Sequence, residues 1–388
     1  MNASRRMAVV YVLLFGATGV SLPFAGLWFR DQGLSGAEIG ALLAAPTLAR
    51  LVVGPALAVW ADRFRLRRTP IVVLGLVAAF AYGAAGLVDG FFLWLPIWFV
   101  AASAAAAMIP LTDVLTLRLG RRFDFAFAPT RSAGSLAFVV ANVVMGALLL
   151  RAPSDVVIVW IAAASALTAL AAWRAPAEPV RDRQPAGGDR FAGLGVLLRD
   201  RTFLTAIFAV GAVQGSHGFY YAFSAIEWKA RGVSEQTTGL LWAFSVAAEV
   251  AWMWWIEPLR RRHGVGPGVI LALGVVAGLI RWTAFAAAPP EWMLWPLQAL
   301  HALSFAAVFL AGLEIVERLS APEHQTSAQT LSSALSSGLL IGLATAIAGP
   351  LYDHVGALGY LAMSAMVLCG AAAAWIVRSR LGGQPTTT

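Results

Sequence analysis

The chain has 388 residues, of which 59% are hydrophobic and only 12% are charged, and its mean hydropathy is +0.75. A soluble globular protein carries roughly 25% charged residues, so this composition excludes a soluble domain. The net charge of +8 alone would suit a nucleic-acid partner. Most of the basic residues, however, lie between apolar blocks on one predicted side of a membrane, so we expect no nucleic-acid partner.

Twelve apolar blocks are long enough to cross about 30 Å of hydrocarbon as helices. In chain order they are residues 7–29, 39–61, 70–88, 91–117, 133–150, 156–173, 203–226, 239–256, 269–288, 293–313, 332–351 and 358–377. We predict an all-α membrane protein with twelve transmembrane helices in two six-helix halves. Residues 1–173 and 203–388 form the halves, and the polar segment 174–202 is a cytoplasmic linker.

The distribution of charge predicts the topology. Of the 28 Lys and Arg residues, 22 lie on the predicted cytoplasmic side, two (Arg50 and Arg281) lie within spans, and four lie on the opposite side, namely Arg30, Arg151, Lys229 and Arg231. Such a bias places both termini in the cytoplasm. Cys369 is the only cysteine, so an intrachain disulfide or a cysteine-based metal site is excluded.

An internal repeat relates the two halves. One constant offset places Gly16, Gly19, Phe24, Gly33, Ser35, Gly40, Leu42 and Ala49 on Gly215, Gly218, Phe223, Gly232, Ser234, Gly239, Leu241 and Ala248. At the next position the offset sets Arg50 against Glu249. Two copies of one membrane unit, with opposite charges at equivalent depth, predict a transporter with its site between the copies.

Arg50 and Glu249 are ionisable groups within apolar spans, which makes both functional candidates. Arg50 is suited to bind a substrate carboxylate with two parallel hydrogen bonds, or to neutralise a carboxylate of the protein itself. Glu249 is a candidate for proton coupling. The alternative for both residues is a fixed structural ion pair.

Asp113 follows Pro110 toward the inner third of the fourth span, where a proline frees a backbone carbonyl and favours a bend. A partly desolvated carboxyl group is suited to exchange a proton during transport. An equally good interpretation is a permanent ion pair between Asp113 and Arg50 or Arg131. We keep both.

Polar side chains recur along the seventh span in a helical pattern. Gln214, His217, Tyr221 and Ser224 stand at i, i+3, i+7 and i+10, which predicts one polar stripe facing a cavity or a neighbouring helix. A binding or proton-transfer role for His217 competes with that of a hydrogen-bonded core histidine.

Other candidates lie in the spans that follow. Gln298 and His301 are one turn apart in the tenth span, and Arg281 lies in the outer half of the ninth. Arg281 is expected to pair with Glu249 or Glu227, or to screen an entering anion. The aromatic side chains expected to stack on an aromatic substrate are those of Tyr220, Tyr221 and Trp242.

Two loops carry an acid followed by arginines. Residues 62–68 read Asp-Arg-Phe-Arg-Leu-Arg-Arg, and the second half has Glu257 followed by arginines at 260–262. Asp62, Arg63 and Arg67 are candidates for ion pairs that hold the inner face shut. The alternative is that the basic residues only set the membrane topology.

Several of these motifs resemble the major facilitator superfamily, and within it the phenylpropionate permease branch, related to lactose permease. They are the Gly-Pro at 54–55 with the loop 62–68, and the segments 21–24, 48–50, 110–113, 214–217, 220–226, 248–250, 281–282 and 298–301. The resemblance covers nearly the whole chain, and residues 214–226 are its most specific part.

The resemblance implies a twelve-helix transporter of the bacterial inner membrane that takes up an aromatic carboxylate such as 3-phenylpropionate together with protons. It implies a monomer whose partners are the small-molecule substrate, protons and the lipid bilayer, with the proton gradient as energy source and no cofactor. It also suggests gating or binding by Arg131, and Glu314 and Arg281 join the gating candidates. The runner-up is a permease for a neutral nucleoside or sugar.

An enzyme is disfavoured because the sequence has no His-Glu-x-x-His, no phosphate-binding loop and no Gly-x-Ser-x-Gly. We therefore expect no catalytic residues and no metal ligands. The Gly-Pro-containing fifth helix of drug-proton antiporters is also missing from residues 134–150, which counts against efflux.

Overall fold

The computed structural model describes residues 2–180 and 192–378. Within these residues the regular structure is helical apart from one isolated bridge, between Leu66 and Pro179, and the predicted all-α class is confirmed. Parts of two predicted segments lie outside the described residues, namely 181–191 of the linker and 379–388 of the second half.

The first six helices follow the predicted spans. They are α1 (Ala3–Asp31), α2 (Gly36–Ala61), α3 (Arg68–Ala85), α4 (Phe91–Phe123), α5 (Phe127–Leu148) and α6 (Asp155–Trp173). A short helix, Ala192–Leu197, precedes the second series. That series is α7 (Arg201–Gly215), α8 (Gly218–Ala230), α9 (Glu235–Arg262), α10 (Pro267–Ala286), α11 (Glu291–Leu319), α12 (Ile341–Val355) and α13 (Tyr360–Ile376).

Ten helical segments of the described chain are long and apolar enough to cross a membrane. Two features separate this number from the predicted twelve. The seventh span is interrupted at Ser216 and His217, which leaves α7 with 15 residues and α8 with 13. In addition, the stretch Pro322–Ile376, which contains α12 and α13, is helical from end to end and counts as one segment. The twelve-helix count and the orientation of the termini stay predictions.

The contact pattern divides the chain into two compact units. Unit 1 comprises Met1–Gln184 and Tyr221–Ala243, and unit 2 comprises Pro185–Tyr220 and Phe244–Thr388. Unit 1 thus includes the hairpin 221–243, which the prediction placed in the second half. The hairpin packs closely on α5, because a Cβ built on Gly239 would lie 2.3 Å from the backbone oxygen of Asn142. The predicted boundaries of the two membrane halves stay a prediction.

Each unit is packed through its own set of helix pairs. In unit 1, α1 lies against α5 and α6, α3 lies against α4 and α6, and α2 lies mainly against α4. In unit 2, α13 lies against α7 and α10, and α7 also contacts α11. Small residues allow the backbones of these helices to approach closely. This is expected in a bilayer, because helices there associate through van der Waals packing and not through the hydrophobic effect.

The internal repeat is visible in the turn after the first helix of each copy. Gly33 and Gly232 occupy the repeat-equivalent position and both have positive φ, 89° and 83°, which glycine adopts without steric cost. Two residues later a serine begins the next helix in both copies. Ser35 accepts a hydrogen bond from the backbone of Glu38, and Ser234 accepts one from Thr237 at 3.0 Å. The duplication therefore preserves the local turn chemistry.

Candidate functional site

Arg281 is the centre of a buried polar cluster in unit 2. Its Nη1 lies 3.1 Å from Nε2 of His217, 3.0 Å from Nδ1 of His301 and 2.9 Å from Oγ of Ser304, and its Nη2 donates to Oε1 of Gln298 at 3.2 Å. Arg281, His217, Gln298 and Ser304 are all 0% exposed. The cluster thus joins α10, α11 and the turn between α7 and α8.

α11 supplies three of the four groups that contact the Arg281 guanidinium, namely Gln298, His301 and Ser304. His301 is followed by a π-helical segment, Ala302–Ala307, in which the extra residue per turn shifts the side chains that follow. Gln214 of α7 donates to the backbone oxygen of Phe305 within that segment at 2.8 Å. A local departure from regular α-helix therefore supports the cluster, as is common for π-helical segments at functional sites.

Arg281 determines the protonation pattern of both histidines. A guanidinium only donates hydrogen bonds, so Nε2 of His217 and Nδ1 of His301 must accept. His217 then carries its proton on Nδ1, which faces the backbone oxygens of Val213 and Gln214 at 3.2 and 3.1 Å. His301 carries its proton on Nε2. Both rings are neutral in this arrangement.

Glu249 is the outer end of the cluster. Nε2 of His301 lies 3.0 Å from Oε1 of Glu249, so the neutral ring donates to the carboxylate. The result is a chain of hydrogen bonds from Arg281 through His301 to Glu249. The Glu249 side chain is 15% exposed and that of His301 only 4%, so the carboxylate is the accessible end of the chain.

Aromatic rings enclose the guanidinium. The Arg281 guanidinium carbon lies 4.6 Å from the ring centroid of Trp282 and 5.3 Å from that of Tyr220, and Phe285 is next at 5.8 Å. The hydroxyl of Tyr220 accepts from Nε2 of Gln298 at 2.7 Å. Rings at these distances favour a cation through their faces, so the positive charge stays stable in a dry interior.

Arg50 is isolated in unit 1. The residues that α2 buries are Gly36, Ile39, Gly40, Leu42, Ala44 and Ala61, so the stretch around Arg50 is open. The Arg50 side chain is exposed, and within residues 2–180 and 192–378 it has no hydrogen-bond or ion-pair partner. The structural ion pair considered as an alternative for Arg50 is thus not formed with any described residue.

Asp113 pairs with Arg131 and not with Arg50. Nε of Arg131 lies 3.4 Å from Oδ1 of Asp113, and the hydroxyl of Tyr11 donates to the same oxygen at 2.7 Å. The Arg131 guanidinium also lies 4.0 Å from the ring centroid of Phe15. The ion-pair alternative is therefore the arrangement seen, and α4 continues through Pro110 without a break. A proton-coupling role for Asp113 stays a prediction.

The polar stripe predicted along the seventh span does not lie on one continuous helix. The turn at Ser216 and His217 separates Gln214 from Tyr221, because α7 ends at Gly215. Tyr221 packs against Trp242 within unit 1, with ring centroids 5.8 Å apart. Substrate contacts of Tyr221 and Trp242 stay predictions.

The gating candidates lie in two settings. Asp62 ends α2, and Asp62 and Arg63 are exposed, while the backbone of Arg67 donates to the oxygen of Glu178 at 2.9 Å. In unit 2, Glu314 pairs with Arg260 at 2.9 Å and with Arg318. Glu257 also pairs with Arg260 and Arg261, as the loop motif of the second copy predicts, and gating itself stays a prediction.

Sequence reasoning missed several members of these clusters. Ser304 lies one turn after His301, a spacing that was available as a signal. Trp282 and Phe285 follow Arg281 on the same helix, but their position around the guanidinium depends on how α10 is rotated. Tyr11 gave no signal, because a tyrosine near the start of a first span is ordinary at a membrane interface.

The described part of the chain is helical, with ten apolar segments and an ionisable cluster buried in unit 2, and these features are typical of a multi-pass membrane transporter. Across residues 2–180 and 192–378, no group of three His, Cys, Asp or Glu side chains is placed to hold a metal ion.

Comparisons with known proteins agree with this class. The model of the family described as "MFS_1 like family" matches residues 4–361. The chain therefore belongs to this family of membrane transporters, which are not enzymes.

Individual relatives span nearly the whole chain. The probable 3-phenylpropionic acid transporter of Escherichia coli (strain K12) is 28% identical over 370 residues, covering 92% of this chain and 93% of its own. The maltose permease of Geobacillus stearothermophilus is 25% identical over 366 residues, covering 93% and 91%. The crystal structure of the nucleoside transporter NupG superimposes with a TM-score of 0.83 at 17% identity, covering 99% of this chain and 100% of that one.

Proposed function

We propose that the protein is a proton-coupled symporter of the bacterial inner membrane that takes up a small aromatic carboxylate such as 3-phenylpropionate. It works as a monomer by alternating access, with the proton gradient as its only energy source and no cofactor. The similarity to the probable 3-phenylpropionic acid transporter over nearly the whole chain supports this substrate class.

The unpaired Arg50 carries the proposal. A charge within a span costs at least a few kcal/mol and is retained where it has a function. Arg50 has no carboxylate partner in the described part of the chain, since Asp113 is bonded to Arg131 and Glu249 is bonded to His301. A substrate carboxylate supplies the missing anion, and the planar guanidinium binds it with two parallel hydrogen bonds.

Glu249 receives the proton. Its carboxylate is the accessible end of the Arg281–His301–Glu249 chain, so a proton entering from water reaches it first. Protonation removes the negative charge of Glu249. The neutral carboxyl group attracts the Nε2–H of His301 less strongly, and the positive charge of Arg281 loses its counterion. Transport follows if the bound proton and the bound substrate together stabilise the conformation from which the binding site reorients across the membrane.

The runner-up is a permease for a neutral sugar or nucleoside, and the 25% identity to a maltose permease favours it. A neutral substrate would leave Arg50 without an anion. Thermal unfolding of the purified protein with a panel of aromatic acids, sugars and nucleosides separates the two, because a ligand stabilises the state that it binds. Stabilisation by sugars or nucleosides and not by aromatic acids would favour the neutral solute.

The direct test is uptake of labelled 3-phenylpropionate into proteoliposomes with an imposed pH gradient. We expect accumulation that collapses with the gradient. Replacing Arg50→Gln should raise KM about thirty-fold, because a charged pair contributes about 2 kcal/mol or more when one partner is removed. Arg50→Lys should retain part of the affinity, and Arg151→Gln, at an exposed arginine in a loop, is the matched control.

Two results would overturn the proposal. Full accumulation after the gradient is collapsed would exclude proton coupling. An unchanged KM in Arg50→Gln would exclude Arg50 as the anion site.

A further inference from the structure

A groove lined by arginines opens at one end of unit 2. Its volume is about 960 Å³, and its walls come from the end of α9, the beginning of α10, and the ends of α11 and α13. The basic side chains that line it are Arg260, Arg261, Arg318 and Arg378. The charge bias predicts that these helix ends face the cytoplasm, so we expect the groove to lie at the level of lipid headgroups.

The charges in this basic groove do not cancel. Glu314 pairs with Arg260 and Arg318, and Glu257 pairs with Arg260 and Arg261. Four guanidinium groups therefore face two carboxylates, which leaves positive charge at the rim. Such an excess attracts an anion.

Arg378 is the basic residue that remains available for an anion. Within the described residues it forms no ion pair, and its side chain is exposed. Its guanidinium lies 3.9 Å from the ring centroid of Trp375, and its Nη1 donates to the backbone oxygen of Trp375 at 2.8 Å. Stacking and hydrogen bonding hold Arg378 at the rim.

Below the rim, the groove is apolar. Its walls contain Val269, Val276 and Trp375, which are 54%, 53% and 66% exposed, together with small alanine and glycine residues. A soluble anion would satisfy the arginines and leave these side chains uncovered. A phospholipid places its phosphate at the arginines and its acyl chains along the valines, so it matches both parts of the surface.

A second groove in unit 1 repeats the pattern. It has a volume of about 640 Å³ and lies at the beginning of α3 and the end of α6, the positions that correspond to α10 and α13. Its lining includes Arg6, Arg68, Arg174 and Trp173 beside leucines of α1 and α6. Tryptophan and arginine thus occur beside a groove at the end of the last helix of each repeat, although not at positions that the offset pairs.

We propose that the basic groove of unit 2 binds an anionic diacyl phospholipid, with its phosphate at Arg378 and Arg318 and an acyl chain along Val269 and Val276. Phosphatidylglycerol has this chemistry, and cardiolipin contains two such phosphatidyl groups. The lining of the groove includes no member of the Arg281 cluster, and the proposal does not depend on which substrate is transported.

The test is native mass spectrometry of the purified full-length protein in detergent, titrated with phosphatidylglycerol, cardiolipin or zwitterionic phosphatidylcholine. We expect anionic lipids to stay bound in preference to phosphatidylcholine. Arg378→Gln should weaken retention about five-fold, as one basic residue near an anionic lipid surface contributes by about that factor. Trp375→Ala should weaken it as well, while Arg199→Gln, at an exposed arginine that does not line the groove, should not.

Equal retention of anionic and zwitterionic lipids would overturn the proposal, and so would equal retention by Arg378→Gln and the unmodified protein. A third arm adds inorganic phosphate in millimolar excess. Displacement of the lipid by phosphate at similar concentration would show that the acyl chains contribute nothing, which also contradicts a phospholipid site.

Discussion

Replacing Arg281 by methionine should destabilise unit 2 far more than the loss of an ordinary arginine does. The side chain is 0% exposed, and its Nη1 and Nη2 lie within hydrogen-bond distance of four acceptors, on His217, His301, Ser304 and Gln298. Methionine fills a similar length without any donor. The four acceptors then remain inside the bundle, where water does not reach them.

The magnitude follows from two limits. Side-chain hydrogen bonds within membrane proteins contribute about 0.6 kcal/mol on average, which gives roughly 2 kcal/mol for the four bonds. Removing one member of a buried charged network in a soluble protein costs about 3–5 kcal/mol. We therefore expect Arg281→Met to lower the free energy of unfolding by about 2–5 kcal/mol. Arg281→Lys should fall between the two proteins, because an ammonium keeps the charge but not the planar set of donors.

The assay is equilibrium unfolding of the purified protein in mixed micelles, followed by tryptophan fluorescence. The control is Arg122→Met, because Arg122 is 53% exposed and its single ion pair, with Glu178 at 3.1 Å, should contribute about 0–1 kcal/mol. An Arg281→Met variant that is no less stable than Arg122→Met would refute the reasoning, since it would show that the four hydrogen bonds do not hold the cluster together.

Three further predictions address the proton site, the hairpin and a surface ion pair. Glu249→Gln should abolish accumulation driven by the pH gradient but keep exchange of labelled for unlabelled substrate, because an amide fills the space without releasing a proton; undiminished accumulation would contradict this. Gly239→Ala should destabilise the protein by about 1–3 kcal/mol, because the new Cβ would lie 2.3 Å from a backbone oxygen of α5. The control Gly83→Ala, whose Cβ would have no atom within 4 Å, should be neutral or stabilising. Equal shifts of the melting temperature in the two variants would contradict this. Partial burial lowers the pKa of Lys229, but its bonds to two carboxylates outweigh that effect and raise the pKa overall. The stabilisation by Lys229 should therefore be complete below about pH 10, near the pKa of an unfolded lysine. It should disappear as the pH rises through the pKa of the folded state. The stability difference between Lys229→Met and the unmodified protein should shrink accordingly in a pH series, and a constant difference would count against it.

Local patterns in the sequence predicted the helices and the repeated turn, because each depends on nearby residues. Apolar blocks predict spans, and a glycine followed by a serine two residues later predicts both the turn and the next helix start at Gly33 and Gly232. The interruption at His217 escaped prediction, because Ser216 and His217 lie inside an unbroken apolar block. Hydropathy reports the length of such a block and not the hydrogen bonds along it.

The composition of the Arg281 cluster was partly predictable and its geometry was not. His217, Gln298, His301 and Arg281 each stood out as polar residues within apolar spans. Their convergence on one guanidinium depends on the rotation of three helices and on the π-helical segment after His301, which are set by packing across unit 2. Sequence spacing constrains residues on one helix, so it did not predict that two histidines, an amide and a hydroxyl would contact Arg281 directly.

Duplication also explains why the charged groups are divided between the units. The offset that pairs Thr18 with His217 also pairs Tyr82 with Arg281, so unit 1 has an equivalent of the cluster made of uncharged groups. There a cavity of about 30 Å³ remains, lined by Thr18, Tyr82 and other residues, and the Thr18 hydroxyl donates to the backbone of its own helix at 3.0 Å. Among the described residues that line this cavity there is no acid or histidine, and the charge that α2 carries within its predicted span is Arg50. Unit 2 has the acid, Glu249, at the position equivalent to Arg50, bonded to a histidine. Under the proposed function, this difference assigns the anion to unit 1 and the proton to unit 2, so that neither ligand alone acts on both units.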